Sequence, residues 1–327
     1  MLPAVSALLP AVAVVVGLVG LVLGADRFVA GARDLALRLG MSPLLVGMLV
    51  VGVGTSAPEM LVSLMAALEG DGAMAVGNAI GSNASNIGLV LGLTALVAPV
   101  PLDQDTVKKE FPLLALVTAG YYLIFLDGVL SEGDGALLLI GLALLVFRML
   151  NRAREDKEAD EGPGAKPVLS MMAAIVWQIG GLVVMVGSSR AIVWGAVEIA
   201  RGFGISELVI GLTIVAIGTS LPELAASIAA ALRDEHELAV GNVIGSNMFN
   251  LVLVLPFPAL IAPGEVDPAV WQRDYPVMLG LTCVLVLLGA MGRKSMRMGR
   301  RAGGLLVGIF LAYLAWLVLD AMAGPAL

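Results

Sequence analysis

Charge is scarce in this sequence. Asp, Glu, Lys and Arg make up 14% of its 327 residues, against 59% hydrophobic residues. A soluble domain carries about 25% charged residues, so the scarcity excludes a water-soluble chain of this size and points to an integral membrane protein. Aromatic residues are few as well, at 5%, whereas the 40 glycines suit transmembrane helices whose backbones approach closely. Helices, not a barrel, are implied. The single cysteine, Cys283, excludes an intrachain disulfide and, lying in an apolar run, reads as a small buried hydrophobe. The single histidine, His236, sits in the polar stretch 233–237 and reads as a solvated loop residue rather than a metal ligand. The first 25 residues lack a basic segment, so the apolar run that continues toward Asp26 reads as a first transmembrane helix and not as a cleaved leader. The net charge of −7 resides largely in loops such as 155–161 and decides nothing about function.

Apolar windows long enough to span about 30 Å of hydrocarbon fall near residues 7–30, 43–68, 73–98, 111–127, 133–150, 169–199, 206–232, 237–262, 274–291 and 302–322. The expected fold is therefore an all-α polytopic membrane protein of ten transmembrane helices. The charged stretch 151–168, with Gly162-Pro163-Gly164, is the one convincing linker, separating a first five-helix unit (1–150) from a second (169–327). Five is odd, so the second unit enters the membrane opposite to the first, and inverted repeats are a hallmark of secondary transporters. With both termini outside, the inner loops hold 16 Lys and Arg and the outer segments only Arg190, Arg201 and Arg273. This positive-inside bias places the 151–168 linker in the cytoplasm.

The two units repeat in sequence. Gly54-Thr55-Ser56-Ala57-Pro58-Glu59 returns as Gly218-Thr219-Ser220-Leu221-Pro222-Glu223, an offset of 164. At the same offset the phrase from Gly77 through Gly81-Ser82-Asn83 to Asn86 returns from Gly241 through Gly245-Ser246-Asn247 to Asn250. From Gly40/Gly204 to Pro99/Pro263 the halves align without a gap, and roughly half of the positions from Gly54 onward are identical, which marks a true internal repeat. Each copy puts a carboxylic acid at membrane depth, a placement that is rare unless it serves a partner or a pathway.

Proline at 58 and 222 removes a backbone donor and crowds the carbonyl four residues earlier, freeing those of Gly54 and Gly218. In lipid such a carbonyl is tolerated only where it faces protein, water or an ion. Thr55 and Glu59 share a helical face, as do Thr219 and Glu223. Asn78, Ser82 and Asn86 form a further polar stripe, matched by Asn242, Ser246 and Asn250. Carboxylate, amide, hydroxyl and carbonyl oxygens without sulfur or imidazole are ligands for hard cations, above all Ca²⁺. Two glutamates supply about −2, which balances one Ca²⁺ or partly balances several Na⁺. Blander readings stand beside this one. The Gly-x-x-x-Gly pairs serve close helix packing, hydroxyls in membrane helices often bond only their own backbone, and protonated acids can brace helices. An intramembrane hydrolase would need a nucleophile with its base, a zinc-ligand set or a nucleotide loop, and neither phrase offers one. A passive cation channel would not need an inverted pair of acids. No enzymatic activity, no cofactor, no nucleic acid and no obligate protein partner are expected.

With both phrases present twice at the correct spacing, the sequence resembles the two alpha repeats of the cation/calcium exchanger superfamily, in its prokaryotic Na⁺/Ca²⁺ exchanger branch. The resemblance covers nearly the whole chain. It implies that Glu59 and Glu223 are central Ca²⁺ ligands, with oxygens of Thr55 and Thr219 beside them. Ser56, Ser82, Ser220 and Ser246 would serve Na⁺ sites, helped by the carbonyls of Gly52 and Ala216, while Asn86 and Asn250 would line the centre. It also implies that the first and sixth spans, long and tilted, slide across the remaining helices. Sodium-coupled relatives commonly carry aspartate at the position of Asn250, so this site lacks a third ionisable acid. The implied function is Ca²⁺/Na⁺ antiport at the cell membrane, exporting Ca²⁺, with H⁺/Ca²⁺ exchange as the alternative.

Overall fold

The computed structural model describes residues 3–159, 166–291 and 297–323 and is almost entirely helical. The helices are α1 (Pro3–Leu39), α2 (Pro43–Thr55), α3 (Ala57–Leu68), α4 (Gly72–Val97), α5 (Phe111–Ile124) and α6 (Glu132–Ala159). They are followed by α7 (Met171–Gly202), α8 (Thr213–Thr219), α9 (Leu221–Leu232), α10 (His236–Ile261), α11 (Val270–Met291) and α12 (Arg300–Ala323). Seven of these are long and apolar enough to cross a membrane, and up to nine if each of the bent pairs α2–α3 and α8–α9 is one span. The window at 111–127 forms α5, which continues the wide helical turn Thr106–Glu110 without a break, so this helix starts before the expected window and ends at Ile124. Helix α6 runs on to Ala159, which makes the start of the stretch read as a linker helical, while Gly162-Pro163-Gly164 lies outside the described residues.

Local chemistry explains the boundaries. Gly40 and Gly204 end the two long helices α1 and α7 with φ of 64° and 75°, the left-handed conformation that glycine adopts without penalty. Ser42 caps α2 by accepting from the Leu45 amide, with Pro43 at the first helical position, where a missing N–H costs nothing. Asp71 caps α4 through the Met74 amide at 2.9 Å, and Ser170 caps α7 through Ala173 at 3.1 Å. Three wide π-helical turns, Gly47–Gly52, Asn86–Leu91 and Thr106–Glu110, recur as Gly211–Val215, Asn250–Val254 and Val270–Asp274. The 164-residue repeat is thus a repeat of backbone irregularities as well as of side chains. Such turns cluster at functional sites.

Burial separates a centre from a rim. Of the apolar stretches, those in α4 and α10 are 78% and 94% buried, those in α1, α6, α7 and α12 only 22–28%. Apolar side chains on the outer helices face away from protein, as a lipid-facing surface requires. Cys283 belongs to that surface: it is exposed, which corrects the reading of it as buried. His236 begins α10 with its side chain 20% exposed, so it is more enclosed than a solvated loop residue. Helices α1 and α7 lie against one another so closely that a Cβ at Gly181 would sit 2.7 Å from the carbonyl oxygen of Gly24. Two short antiparallel clasps join the halves: β1 (Val100–Pro101) with β4 (Arg297–Met298), and β2 (Val129–Leu130) with β3 (Gly264–Glu265). Buried Glu110 takes Arg148 at 2.9 Å and also Arg152, fixing α6 to the start of α5.

Candidate cation-binding site

The acids stand at helix breaks. At Ser56 and Ser220 the backbone leaves the helix (ψ of 3° and 4°), bending α2–α3 by 46° and α8–α9 by 51°. The prolines at 58 and 222 sit in the first turn of the following helix, where the ring is tolerated. Glu59 and Glu223 therefore lie in the first turns of α3 and α9, beside unsatisfied backbone amides whose partial positive charge favours anions. The carbonyl freed at Gly218 accepts a 2.7 Å hydrogen bond from Ser189 of α7. Protein, not an ion, satisfies it.

Helices α4 and α10 brace the acids symmetrically. The Asn78 amide donates to the Glu59 carbonyl at 3.1 Å and to Ser63 Oγ at 2.9 Å. Asn242 does the same to Glu223 and Ser227, at 3.2 and 2.9 Å. Both asparagines belong to the polar stripes expected to face an ion, yet their donors hold helices. The two halves also touch directly: Ser56 Oγ donates to Glu223 Oε1 at 3.4 Å, which places the first phrase against the second acid.

All the site residues implied by the resemblance except Thr219 and Ala216 are buried, but equivalent residues have different surroundings. Thr55 is fully buried and donates to Asn242 Oδ1 at 3.0 Å. Ser246 Oγ donates to the Gly52 carbonyl at 3.2 Å, and a Cβ at Gly52 would lie 2.9 Å from the Ser246 amide. That end is closed. At the other end Thr219 is half-buried, Ala216 is exposed, and the Thr219 hydroxyl bonds only its own Ala216 carbonyl at 3.1 Å. A cavity of about 260 Å³ opens there, lined by Asn78, Ser82, Ser85, Ala216, Thr219 and Asp274 among others. The glycine pairs divide the same way: a Cβ at Gly241 or Gly245 would strike the backbone of α2, whereas at Gly77 or Gly81 it would meet nothing within 4 Å.

What the centre offers is oxygen without partners. Glu59 Oε2, Glu223 Oε2, Ser220 Oγ, Asn86 Oδ1 and Asn250 Oδ1 are buried and accept no hydrogen bond. Neither glutamate has an ion-pair partner among the described residues. Unmade hydrogen bonds of this kind cost roughly 1–3 kcal/mol each, more for charged groups, and call for a ligand. Among the described residues no cluster of three or more His, Cys, Asp or Glu occurs. The set is neutral oxygens around two carboxylates, suited to hard cations.

Sequence reasoning missed several residues here. Asn83 and Asn247, at equivalent positions, meet between the halves: the Asn83 amide donates to the Asn247 carbonyl at 3.1 Å, and Asn250 donates to Asn83 Oδ1 at 3.0 Å. They lie off the four-residue stripe, although duplicated amides in a buried helix were a legible signal. Ser63, Ser227 and Ser189 stood in apolar runs without any motif to mark them.

The model of the family described as sodium/calcium exchanger protein matches residues 9–151 and 173–319. The inner membrane protein YrbG of Escherichia coli is 42% identical over 293 residues, covering 88% of this chain and 90% of that protein. The sodium/calcium exchanger MaX1 of Methanosarcina acetivorans is 28% identical over 311 residues, covering 81% and 87%. Among solved structures, the sodium-calcium exchanger NCX_Mj soaked with 10 mM Na⁺ and zero Ca²⁺ superposes with a TM-score of 0.81 at 32% identity, covering 94% of this chain and 99% of that one.

Proposed function

The chain belongs to the sodium/calcium exchanger protein family, and from that membership we propose that it exchanges Ca²⁺ for Na⁺ by alternating access, with Glu59 and Glu223 as ligands shared by the competing ions. That it is a membrane transporter for cations, not an enzyme, comes with the family. The observation that carries the finer reading is the group of unpartnered buried oxygens, contributed by both halves, around two carboxylates that have no basic partner among the described residues.

The charge argument follows. One Ca²⁺ neutralises both carboxylates, and Na⁺ ions distributed over the same oxygens do so too, whereas the empty site keeps two uncompensated charges at membrane depth. Crossing the membrane loaded is then favoured over crossing empty, and exchange follows from competition. Thr55, Ser56, Ser82, Asn86, Thr219, Ser220, Ser246 and Asn250, with the carbonyls of Gly52 and Ala216, complete the oxygen shell. No cofactor takes part, and the substrates are Ca²⁺ and Na⁺.

The architecture proposed is ten spans in two inverted five-helix units, 1–150 and 169–327. The linker 151–168 is cytoplasmic and both termini are outside, in the plasma or inner membrane. In that orientation the cavity beside Thr219 and Asp274 faces outside and the closed contact at Gly52 and Ser246 faces the cytoplasm. Helices α1 and α7 would move as a pair across the rest. One observation favours a second reading, H⁺/Ca²⁺ exchange: Asn250 supplies no third acid, and two glutamates suffice to release protons when Ca²⁺ binds.

The test is ⁴⁵Ca²⁺ uptake into proteoliposomes loaded with Na⁺, against liposomes without a Na⁺ gradient and liposomes with an imposed pH gradient. Uptake that requires internal Na⁺ is the expected result. Uptake driven by the pH gradient alone would replace Na⁺ with H⁺ as the coupling ion.

A further inference from the structure

The cavity beside Thr219 has walls that the oxygen shell around Glu59 and Glu223 does not use. Ser85, the last residue before the wide turn Asn86–Leu91, opens on it with a hydroxyl that is 3% exposed and has no hydrogen-bond partner. The repeat does not demand an oxygen there, because the equivalent position is Phe249. The same cavity is lined by Asp274, 8% exposed, at the start of α11. Its Oδ1 accepts from Tyr313 Oη at 2.9 Å and from Arg273 Nε at 2.7 Å, and its Oδ2 has only a long 3.3 Å contact with Arg273. Arg273 bridges on to Asp320 at 2.5 Å. Two carboxylates thus face one guanidinium, leaving the group with a net charge near −1. Each carboxylate oxygen has about two acceptor sites, so Asp274 retains capacity. Gly77 and Gly81 leave the space open, and about 260 Å³ holds roughly eight waters at ~30 Å³ each, enough for a partly hydrated ion.

We propose that Ser85 Oγ and the Asp274 carboxylate are the fixed ligands of a further cation station, for a hard monovalent ion of the size and hardness of Na⁺, with water completing its shell. This inference rests on the reading of the chain as a cation transporter and concerns ligands outside the central set. The Arg273–Asp274–Asp320 group as a whole, Arg273 included, carries one net negative charge, which matches a monovalent ion. Stripping Ca²⁺ of water calls for several carboxylates, and this wall supplies one. A station here would hold cations at the cavity mouth and raise their local concentration on the approach to Glu59 and Glu223.

Equilibrium ²²Na⁺ binding to the purified full-length protein in detergent tests this, with ⁴⁵Ca²⁺ binding measured in parallel. Glu59→Gln/Glu223→Gln removes the central carboxylates and is expected to abolish ⁴⁵Ca²⁺ binding while leaving one saturable Na⁺ component. Adding Ser85→Ala or Asp274→Asn is expected to weaken that component at least tenfold, and Ser85→Thr to restore it. Ser85→Ala deletes an unpartnered hydroxyl, so it keeps the fold and decides the matter where Asp274→Asn, by freeing Arg273, does not fold. Saturable Na⁺ binding that is absent from the double variant, or indifferent to Ser85→Ala, overturns the station. Retention of ⁴⁵Ca²⁺ binding by the double variant instead overturns the central-site reading. Ser85→Ala in the otherwise unchanged protein then decides the station by itself: loss of one Na⁺ component supports it, and unchanged binding overturns it.

Discussion

Glu59 and Glu223 are each 1% exposed, and each keeps one carboxylate oxygen without a partner. Replacing either with Gln preserves volume but, on the ligand assignment proposed, removes a charge that the bound ion needs. Glu59→Gln and Glu223→Gln are each expected to reduce ⁴⁵Ca²⁺ uptake at least a hundredfold, with unchanged elution on gel filtration; full transport by either variant would sink the ligand assignment. Thr55 and Thr219 are equivalent in sequence but not in contacts. Thr55→Val orphans the buried Asn242 Oδ1, a loss of about 1–3 kcal/mol. Thr219→Val removes only a bond to its own backbone beside the cavity, within about 0.5 kcal/mol. Denaturant titration in mixed micelles should rank the two in that order.

At the scale of elements, the junction of α5 and α6 is governed by an asymmetry of burial. Glu110 is fully enclosed, while the side chains of its partners Arg148 and Arg152 are 37% and 17% exposed. Glu110→Gln leaves two cations that reach water. Arg148→Gln/Arg152→Gln instead leaves an enclosed carboxylate without its counter-charges, a loss of roughly 3–5 kcal/mol. The double arginine variant is therefore expected to unfold at the lower denaturant concentration, and the reverse order would mean that Glu110 is better solvated than its position implies. The helix breaks follow a similar local logic. Pro58 and Pro222 announce where α2–α3 and α8–α9 bend, but the partner of the freed Gly218 carbonyl, Ser189, lies on another helix and 29 residues away. No local pattern names it.

For the whole molecule, inversion of the halves makes a claim about sides. Gln104 and Pro268 are equivalent in the repeat and both exposed. In a Cys283→Ser background, Pro268→Cys is expected to react with a membrane-impermeant maleimide on right-side-out vesicles, and Gln104→Cys only after permeabilisation. Labelling of both from one side would make the repeats parallel. The clasps β1–β4 and β2–β3, each pairing a segment of the first half with one of the second, hold the halves in register whichever way they face.

The sequence by itself determined the helical membrane class, the duplication and the placing of one acid in each copy with part of the polar set around it. Polar groups in an apolar run are conspicuous because lipid penalises them, and a fixed offset of 164 repeats the signal. It could not supply the wide turns or the meeting of Asn83 with Asn247, which depend on how helices cross and not on which residues they contain. Nor could it say which end of the site is open. Gly77 and Gly241, Gly52 and Ala216, Thr55 and Thr219 occupy matching places in two similar repeats, and similar repeats carry no instruction to differ. Only packing breaks that symmetry: α2 lies on Gly241 and Gly245 and closes one end, while the corresponding surface at Gly77 and Gly81 is left uncovered, so the cavity is there.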